Sequence, residues 1–238
     1  MNEKELKTSP KQRIIISVIA IVMLGSIIAS YAAIILNNGK ANTADATSTI
    51  SQEKLMQYEE AYNTKVEEFK TSTKGDFDKF YQYHSEIKAY NEATANGNPV
   101  ETKDLVIGDG REITANDSDY YAYYVGWCAD ESIFDSSFDD NTNPTAFAKI
   151  LDASLGMIEG WTTGVVGMRI NGIRTITVPG NLAYGDSMEI CGGYNKPLKF
   201  MVMPKNKSEE RVKRATELDN AYMKLQYAHY GIDYDEQY

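Results

Sequence analysis

Aromatic side chains with a few polar neighbours dominate the stretch 124–200 and lie close to its expected turns. A set of this kind can line an apolar pocket that binds a ligand without a nucleophile, although the same residue types also fill ordinary cores. The aromatic residues of this stretch include Tyr124, Trp127, Phe134, Phe147, Trp161, Tyr184 and Phe200. A Ser-His-Asp constellation is excluded because the two histidines of the chain, His84 and His229, lie outside the stretch.

Residue patterns typical of metal, phosphate or nucleic-acid binding are missing from the sequence. Structural zinc sites normally use four Cys or His ligands at recurring spacings, whereas Cys128 and Cys191 are far apart and form no Cys-x-x-Cys pair. No glycine-rich loop leads from a predicted strand into a helix. The net charge of −10 disfavours binding to phosphate backbones. We therefore expect no metal, no cofactor and no nucleic-acid partner.

The elements that would position these aromatics are short strands, which begin near residue 105. Runs rich in β-branched and aromatic residues predict strands at 120–127, 174–178 and 198–203. Residues 158–166 predict a short helix, and the pair Asn171-Gly172 predicts a two-residue hairpin turn. Together they indicate an α+β domain over 106–204, with an antiparallel sheet covered on one face.

A series of short motifs follows a fixed order through this domain. They are Ile107-Gly108-Asp109-Gly110, Tyr124-Val125-Gly126, Phe134-Asp135-Ser136-Ser137, Ile158-Glu159-Gly160-Trp161, Gly164-Val165, Gly167-Met168, Gly172-x-Arg174, Val178-Pro179, Leu182-Ala183-Tyr184-Gly185 and Pro197-Leu198-x-Phe200. The ordered series closely resembles FKBP-type peptidyl-prolyl cis-trans isomerases. The resemblance implies a twisted antiparallel sheet wrapped around a short helix.

The resemblance also implies a proline-binding pocket between the sheet and the short helix. Trp161 would form its floor, Tyr184 would present a hydroxyl to a substrate carbonyl, and Asp135 would lie nearest the twisting bond. The walls and the edge would be formed by Tyr124, Phe134, Phe200, Met157 and Ile158. A pocket shaped for the twisted X-Pro bond binds it better than either planar isomer, so catalysis would need no cofactor.

The rim of this pocket departs from the family pattern. A stretch often spelled Ile-Pro-Pro before the last strand reads ICGGY over 190–194, which leaves substrate preference and macrolide binding open. Cys191 lies in this rim, and Cys128 follows the strand that holds Tyr124. The two cysteines could form a disulfide in an oxidising compartment, and two buried free thiols are the alternative.

An uncharged apolar segment from Ile14 to Leu36 is long enough to cross a bilayer as a helix. Lysines and an arginine precede it, which keeps the short N-terminus, 1–13, cytoplasmic and places the remainder outside. The competing interpretation is a cleaved signal peptide, because Ala-Asp-Ala at 44–46 fits a cleavage site, although signal h-regions are usually shorter. We expect an uncleaved signal anchor in a single-pass protein of the cell membrane.

Helical segments flank the predicted domain. Residues 37–50 read as a polar linker, and 51–98 predict two helices that are separated at Gly75-Asp76. A further helix is predicted over 208–230. These helices could pair with one another, form a homodimer or hold a substrate chain.

Two classes of function follow from these patterns. The leading hypothesis is an isomerase that accelerates X-Pro bond rotation in extracytoplasmic proteins and so assists their folding, with proline-containing polypeptides as its substrates. The alternative is a catalytically weak binding module or chaperone that keeps the same pocket. The complete set of pocket residues favours the enzyme, whereas the flanking helices favour added chaperone work.

Overall fold

Six strands form one antiparallel sheet in the computed structural model, which describes residues 50–234. They are β1 (Glu101–Val106), β2 (Tyr121–Trp127), β3 (Ile133–Ser136), β4 (Leu151–Asp152), β5 (Ile173–Val178) and β6 (Leu198–Lys205). The order across the sheet is β1-β5-β6-β2-β3, and β4 pairs with the first two residues of β2. The predicted antiparallel sheet of an α+β domain is therefore confirmed.

Two long and two short helices accompany the sheet within the described residues. They are α1 (Gln52–Tyr81), α2 (Glu92–Gly97), α3 (Glu159–Gly164) and α4 (Glu209–His229). Each long helix begins at a serine N-cap: the Ser51 hydroxyl accepts from the Lys54 amide at 3.2 Å, and the Ser208 hydroxyl accepts from the Arg211 amide at 3.3 Å. These caps explain where the two helices begin.

The central strands are buried on both faces, and the polar residues Arg174, Thr175 and Thr177 of β5 are buried with them. Every residue of β2 and of β5 is buried. Helix α3 packs closely on β5 because it faces the strand with glycines. A Cβ atom at Gly160 would lie 2.1 Å from Val178, and one at Gly164 would lie 2.4 Å from Ile176. Larger residues at either glycine would push away the helix that holds Trp161.

The sheet was predicted to be covered on one face, but α1 and α4 cover the opposite face as well. Phe69, Phe77 and Phe80 of α1 and Leu218 of α4 are buried there. They share one apolar cluster with sheet residues that include Tyr123, Val125, Trp127, Ile173, Met201 and Met203. The two helices also contact each other, with the rings of Tyr62 and Tyr222 centred 5.8 Å apart. The flanking helices are thus part of the hydrophobic core that supports the sheet.

Two helices do lie within 51–98, but the predicted break between them at Gly75-Asp76 is wrong. Helix α1 continues through Gly75-Asp76 to Tyr81, and 51–98 ends with a 3-10 turn and the short helix α2. A glycine inside a helix costs about 1 kcal/mol relative to alanine. Burial of Phe77 and Phe80 on the face already occupied by Phe69 outweighs that cost.

The start of the sheet and one turn also differ from the sequence-based prediction. The sheet begins at Glu101 rather than near 106, because β1 pairs with β5 along its whole length. The Asn171-Gly172 pair does not join two paired strands in a hairpin. It ends a turn in which the Gly172 amide donates to the Arg169 carbonyl at 2.9 Å, after α3 and before β5.

The predicted cytoplasmic segment 1–13, the predicted span 14–36 and all but the last residue of the linker 37–50 lie outside the described residues. Between residues 50 and 234, the helices are all too short or too polar to cross a bilayer.

Candidate active site

Four aromatic residues that the sequence singled out meet at the edge between the sheet and α3. The ring of Trp161 lies edge-to-face with Phe200 at 5.5 Å and with Tyr124 at 5.8 Å between centroids. Phe134 packs edge-to-face on Phe200 at 5.6 Å. Trp161, Phe200 and Tyr124 are almost wholly buried, and Phe134 is half-buried. The structure therefore brings these four rings together in one aromatic cluster at this edge of the domain.

Two constraints determine the orientation of the Trp161 side chain. Helix α3 supplies the backbone, while the indole Nε1 donates to the hydroxyl of Tyr120 at 3.1 Å. Burial raises the pKa of Tyr120 to about 12, so its hydroxyl stays protonated at neutral pH. A buried indole N–H needs such a partner. Tyr120 was not among the predicted site residues. It directly precedes β2 and lies four residues before Tyr124, a spacing that places two strand residues on the same face of a sheet.

Asp135 is the acidic residue that contacts the aromatic cluster, through the hydroxyl of Tyr124. The Tyr124 hydroxyl donates to one carboxylate oxygen of Asp135, and the Lys149 ammonium lies 2.7 Å from the other. Burial and the neighbouring Asp135 charge both raise the pKa of Tyr124 well above its ordinary value. The phenol therefore remains a donor. Lys149 was missed by the sequence analysis, because it lies in an irregular segment with no local pattern that points to Asp135.

Tyr184 lies in the connection between β5 and β6, which we call the rim loop (residues 179–197). Its half-buried ring packs against the aromatic cluster. Burial, and then the negative charge of Asp135, raise the pKa of Tyr184 to about 12. The hydroxyl makes no hydrogen bond to any residue from 50 to 234. It is a neutral donor that is available to a ligand.

Met157 and Ile158 lie where α3 begins, with half-buried side chains packed against the cluster. The Ile158 carbonyl accepts from the amides of Trp161 and Thr162 at 3.1 and 3.2 Å. The Ile158 amide donates to no residue of the described chain. An unpaired amide beside an aromatic floor can bind a carbonyl oxygen of a peptide.

A disulfide joins Cys128 and Cys191, the pairing that the sequence left open. Cys128 directly follows β2, and Cys191 lies in the rim loop. The bond attaches the loop that holds Tyr184 to the strand that holds Tyr124. No group of histidine, cysteine and acidic residues between 50 and 234 is arranged to hold a metal ion.

Comparisons with known proteins identify the family of this chain. The sequence model of the FKBP-type peptidyl-prolyl cis-trans isomerase family matches residues 110–207. An FK506-binding protein of Neisseria meningitidis serogroup B is 34% identical over 86 residues, which are 35% of this chain and 72% of the relative. Human FK506-binding protein 15 is 30% identical over 93 residues, 39% of this chain but 8% of that protein.

One solved structure that matches part of the chain carries FKBP in its name. The crystal structure of AtFKBP13 is 28% identical, with a TM-score of 0.35, and the match covers 46% of this chain and 93% of that one. The family model covers β2 to β6, α3 and the four aromatic residues, whereas β1 precedes it. The chain belongs to the FKBP-type peptidyl-prolyl cis-trans isomerase family.

Proposed function

We propose that this protein is a peptidyl-prolyl cis-trans isomerase that acts on proline-containing polypeptides outside the cytoplasm. The observation that supports this proposal most directly is the arrangement at the site. An aromatic floor centred on Trp161 lies beside two unpaired donors, the Tyr184 hydroxyl and the Ile158 amide. An apolar surface with a few free donors suits a proline ring flanked by peptide carbonyls.

The chemistry of prolyl isomerisation fits this residue set. Rotation about an X-Pro bond breaks amide resonance, with a barrier of about 18–20 kcal/mol. The twisted bond has less charge separation than the planar amide, so aromatic surroundings favour it relative to water. Donors that hold the flanking carbonyls keep the peptide in a geometry that the planar isomers fit less well. Binding that is stronger in the twisted state than in either ground state accelerates the rotation.

Tyr184 and Ile158 supply hydrogen bonds, and Asp135 supplies a negative charge at the mouth of the site. Because the pKa of Tyr184 is raised to about 12, its hydroxyl stays a proton donor throughout the physiological pH range. The Lys149 ammonium, 2.7 Å from one carboxylate oxygen of Asp135, partly offsets its negative charge. The Tyr124 hydroxyl donates to the other oxygen and so orients the carboxylate. No covalent intermediate is required by this mechanism.

The experiment that tests the proposal is catalysed cis-trans exchange of a proline peptide, followed by NMR with the full chain in mild detergent. Tyr184→Phe removes one hydrogen bond and should lower kcat/KM about fivefold. Tyr194→Phe is the matched control, since Tyr194 is an exposed tyrosine of the same loop and should leave the rate unchanged. Trp161→Ala should abolish most of the acceleration in a chain that keeps its far-UV spectrum.

A folded chain that accelerates no X-Pro bond, whatever residue precedes the proline, would refute the enzyme proposal. Peptide binding that remains in such a chain would identify the alternative, a binding module or chaperone. Acceleration that survives both Tyr184→Phe and Trp161→Ala would refute the assignment of the site.

The proposed location rests on two features. The apolar segment 14–36 with its preceding positive charges supports a membrane anchor whose catalytic domain lies outside. The Cys128–Cys191 disulfide supports an oxidising compartment, because such bonds are rare in the cytosol. Alkaline extraction of membranes tests the anchor, and a chain that is released by carbonate would contradict it. Self-association through the helices stays a prediction that crosslinking of the full chain would test.

A further inference from the structure

A segment that precedes the family-matched region braces the rim loop. We call residues 88–97 the strap. The Tyr90 hydroxyl donates to the Pro197 carbonyl at 2.9 Å, and the Lys196 ammonium lies 2.7 Å from the Glu92 carboxylate. The indole of Trp127 donates to the Lys88 carbonyl at 3.1 Å. The strap therefore links the end of β2 to the last residues of the rim loop.

Asn96 of the strap contacts both ends of the rim loop with one side chain. Its amide oxygen accepts from the backbone N–H of Gly180 at 2.7 Å, and its amide nitrogen donates to the Asn195 carbonyl at 3.2 Å. Gly180 and Asn195 touch each other there, since a Cβ atom at Gly180 would lie 2.0 Å from the Asn195 oxygen. The amide oxygen and the amide nitrogen of Asn96 thus hold Gly180 and Asn195 together, and we call this pair of residues the neck of the rim loop.

The neck is connected to the position of Tyr184 by two further backbone hydrogen bonds. The Gly185 amide donates to the Gly180 carbonyl at 2.9 Å, and the Asn195 amide donates to the Gly185 carbonyl at 2.7 Å. Gly185 has a positive φ of 53° and directly follows Tyr184. A shift of Gly180 relative to Asn195 would therefore move Gly185 and, with it, the Tyr184 ring.

We propose that Asn96 is a positioning residue, which holds the neck of the rim loop so that the Tyr184 hydroxyl faces the bound peptide. The proposal rests on the isomerase function proposed above and adds to it a residue outside the segment 110–207 that the family model matches. It follows that the N-terminal helical segment contributes to the geometry of the site as well as to the core.

The test compares Asn96→Ala with Asn98→Ala in the full chain. Asn98 is a matched control, because its amide donates to Glu101 at 2.7 Å, three residues along, and makes no side-chain hydrogen bond to the rim loop. Asn96→Ala should lower kcat/KM about fivefold, whereas Asn98→Ala should leave it within about twofold of the wild type. Asn98→Ala should keep the urea midpoint of the wild type within error, whereas Asn96→Ala should lower it only slightly, because the buried backbone N–H of Gly180 loses its partner.

A double-mutant cycle separates positioning of Tyr184 from a general loss of structure. In the Tyr184→Phe background the hydroxyl that Asn96 positions is already absent, so Asn96→Ala should lower kcat/KM by less than about twofold. Equal factors in both backgrounds would overturn the proposal. Hydrogen exchange of the Gly185 and Asn195 amides should become faster in Asn96→Ala, and unchanged exchange would also overturn it.

The outcomes also distinguish this proposal from the proposed function. A wild-type chain without isomerase activity would overturn both. An active wild type whose rate is unaffected by Asn96→Ala would overturn the positioning role alone and leave the enzyme assignment intact.

Discussion

Replacing Phe80 by alanine should destabilise the whole isomerase unit, although this residue lies in a helix outside the family-matched segment. Phe80 is completely buried, and its ring is centred 5.5 Å from Phe147 and 6.1 Å from Phe138. Truncation of a buried phenylalanine costs about 3–5 kcal/mol, since the cavity is only partly filled by relaxation. The unfolding equilibrium should therefore shift by between about two and four orders of magnitude.

Urea unfolding of the full chain, followed by fluorescence and far-UV circular dichroism, measures this loss. The two tryptophans report opposite faces of the sheet, because Trp127 lies in the cluster with Phe80 and Trp161 lies in the candidate site. A Trp127→Phe background leaves Trp161 as the single reporter. If α1 belongs to the same cooperative unit, Trp161 fluorescence and helical ellipticity should change together at a midpoint lowered by Phe80→Ala.

Met56→Ala is the matched control, because Met56 lies on the same helix with 66% of its surface exposed. It should change the unfolding free energy by no more than about 0.5 kcal/mol. A loss below about 1 kcal/mol for Phe80→Ala would refute the reasoning. So would a first transition in which the helices melt while Trp161 stays native, since α1 would then be a separate arm.

Three other perturbations test individual contacts. Arg174→Met should lower the unfolding free energy by about 2–4 kcal/mol. The change leaves Asp104 unpaired and removes the donor to two carbonyls at the end of α3. A urea midpoint equal to that of the wild type would contradict this prediction. Burial by itself raises the pKa of Asp139, but hydrogen bonds from the loop that follows outweigh it and hold the pKa below the ordinary 3.8. The stabilisation from Asp139 is therefore complete above the unfolded-state pKa and is lost as the pH falls through the folded one, so Asp139→Asn should cost about 1 kcal/mol at pH 7 and progressively less as the pH falls through the folded-state pKa. Reduction of Cys128–Cys191, which closes a separation of 63 residues, should lower the unfolding free energy by about 4 kcal/mol, and two alkylatable thiols without reductant would show that the bond is absent.

The candidate site was the part of the molecule most accessible to sequence reasoning. Tyr124, Phe134, Trp161 and Phe200 were expected together, and their rings do meet in the structure. The strands that hold Tyr124 and Phe200 could be predicted because β-branched and aromatic runs are local signals, whereas β3, which holds Phe134, was not predicted. The turn at Asn171 was misread, since a local turn preference does not reveal which strands pair across it.

The helices, in contrast, could not be predicted fully from local sequence. A glycine at position 75 argues locally for a break, and only the sheet surface beneath α1 shows that Phe77 and Phe80 must remain on one continuous helical face. The apolar stripe predicted a buried face correctly but not the surface that would bury it. Helix pairing, homodimers and substrate binding were all compatible with the same residues.

The sequence by itself determined the family resemblance and the strands that hold Tyr124 and Phe200, because these depend on residue types at short spacings. The resemblance in turn implied the aromatic residues of the site. Only the tertiary structure decided that the flanking helices complete the core, that Lys149 pairs with Asp135, and that Asn96 closes the rim loop. Each of these is a contact between residues distant in the chain. Such contacts depend on which surfaces exclude water together, and no local pattern records that choice.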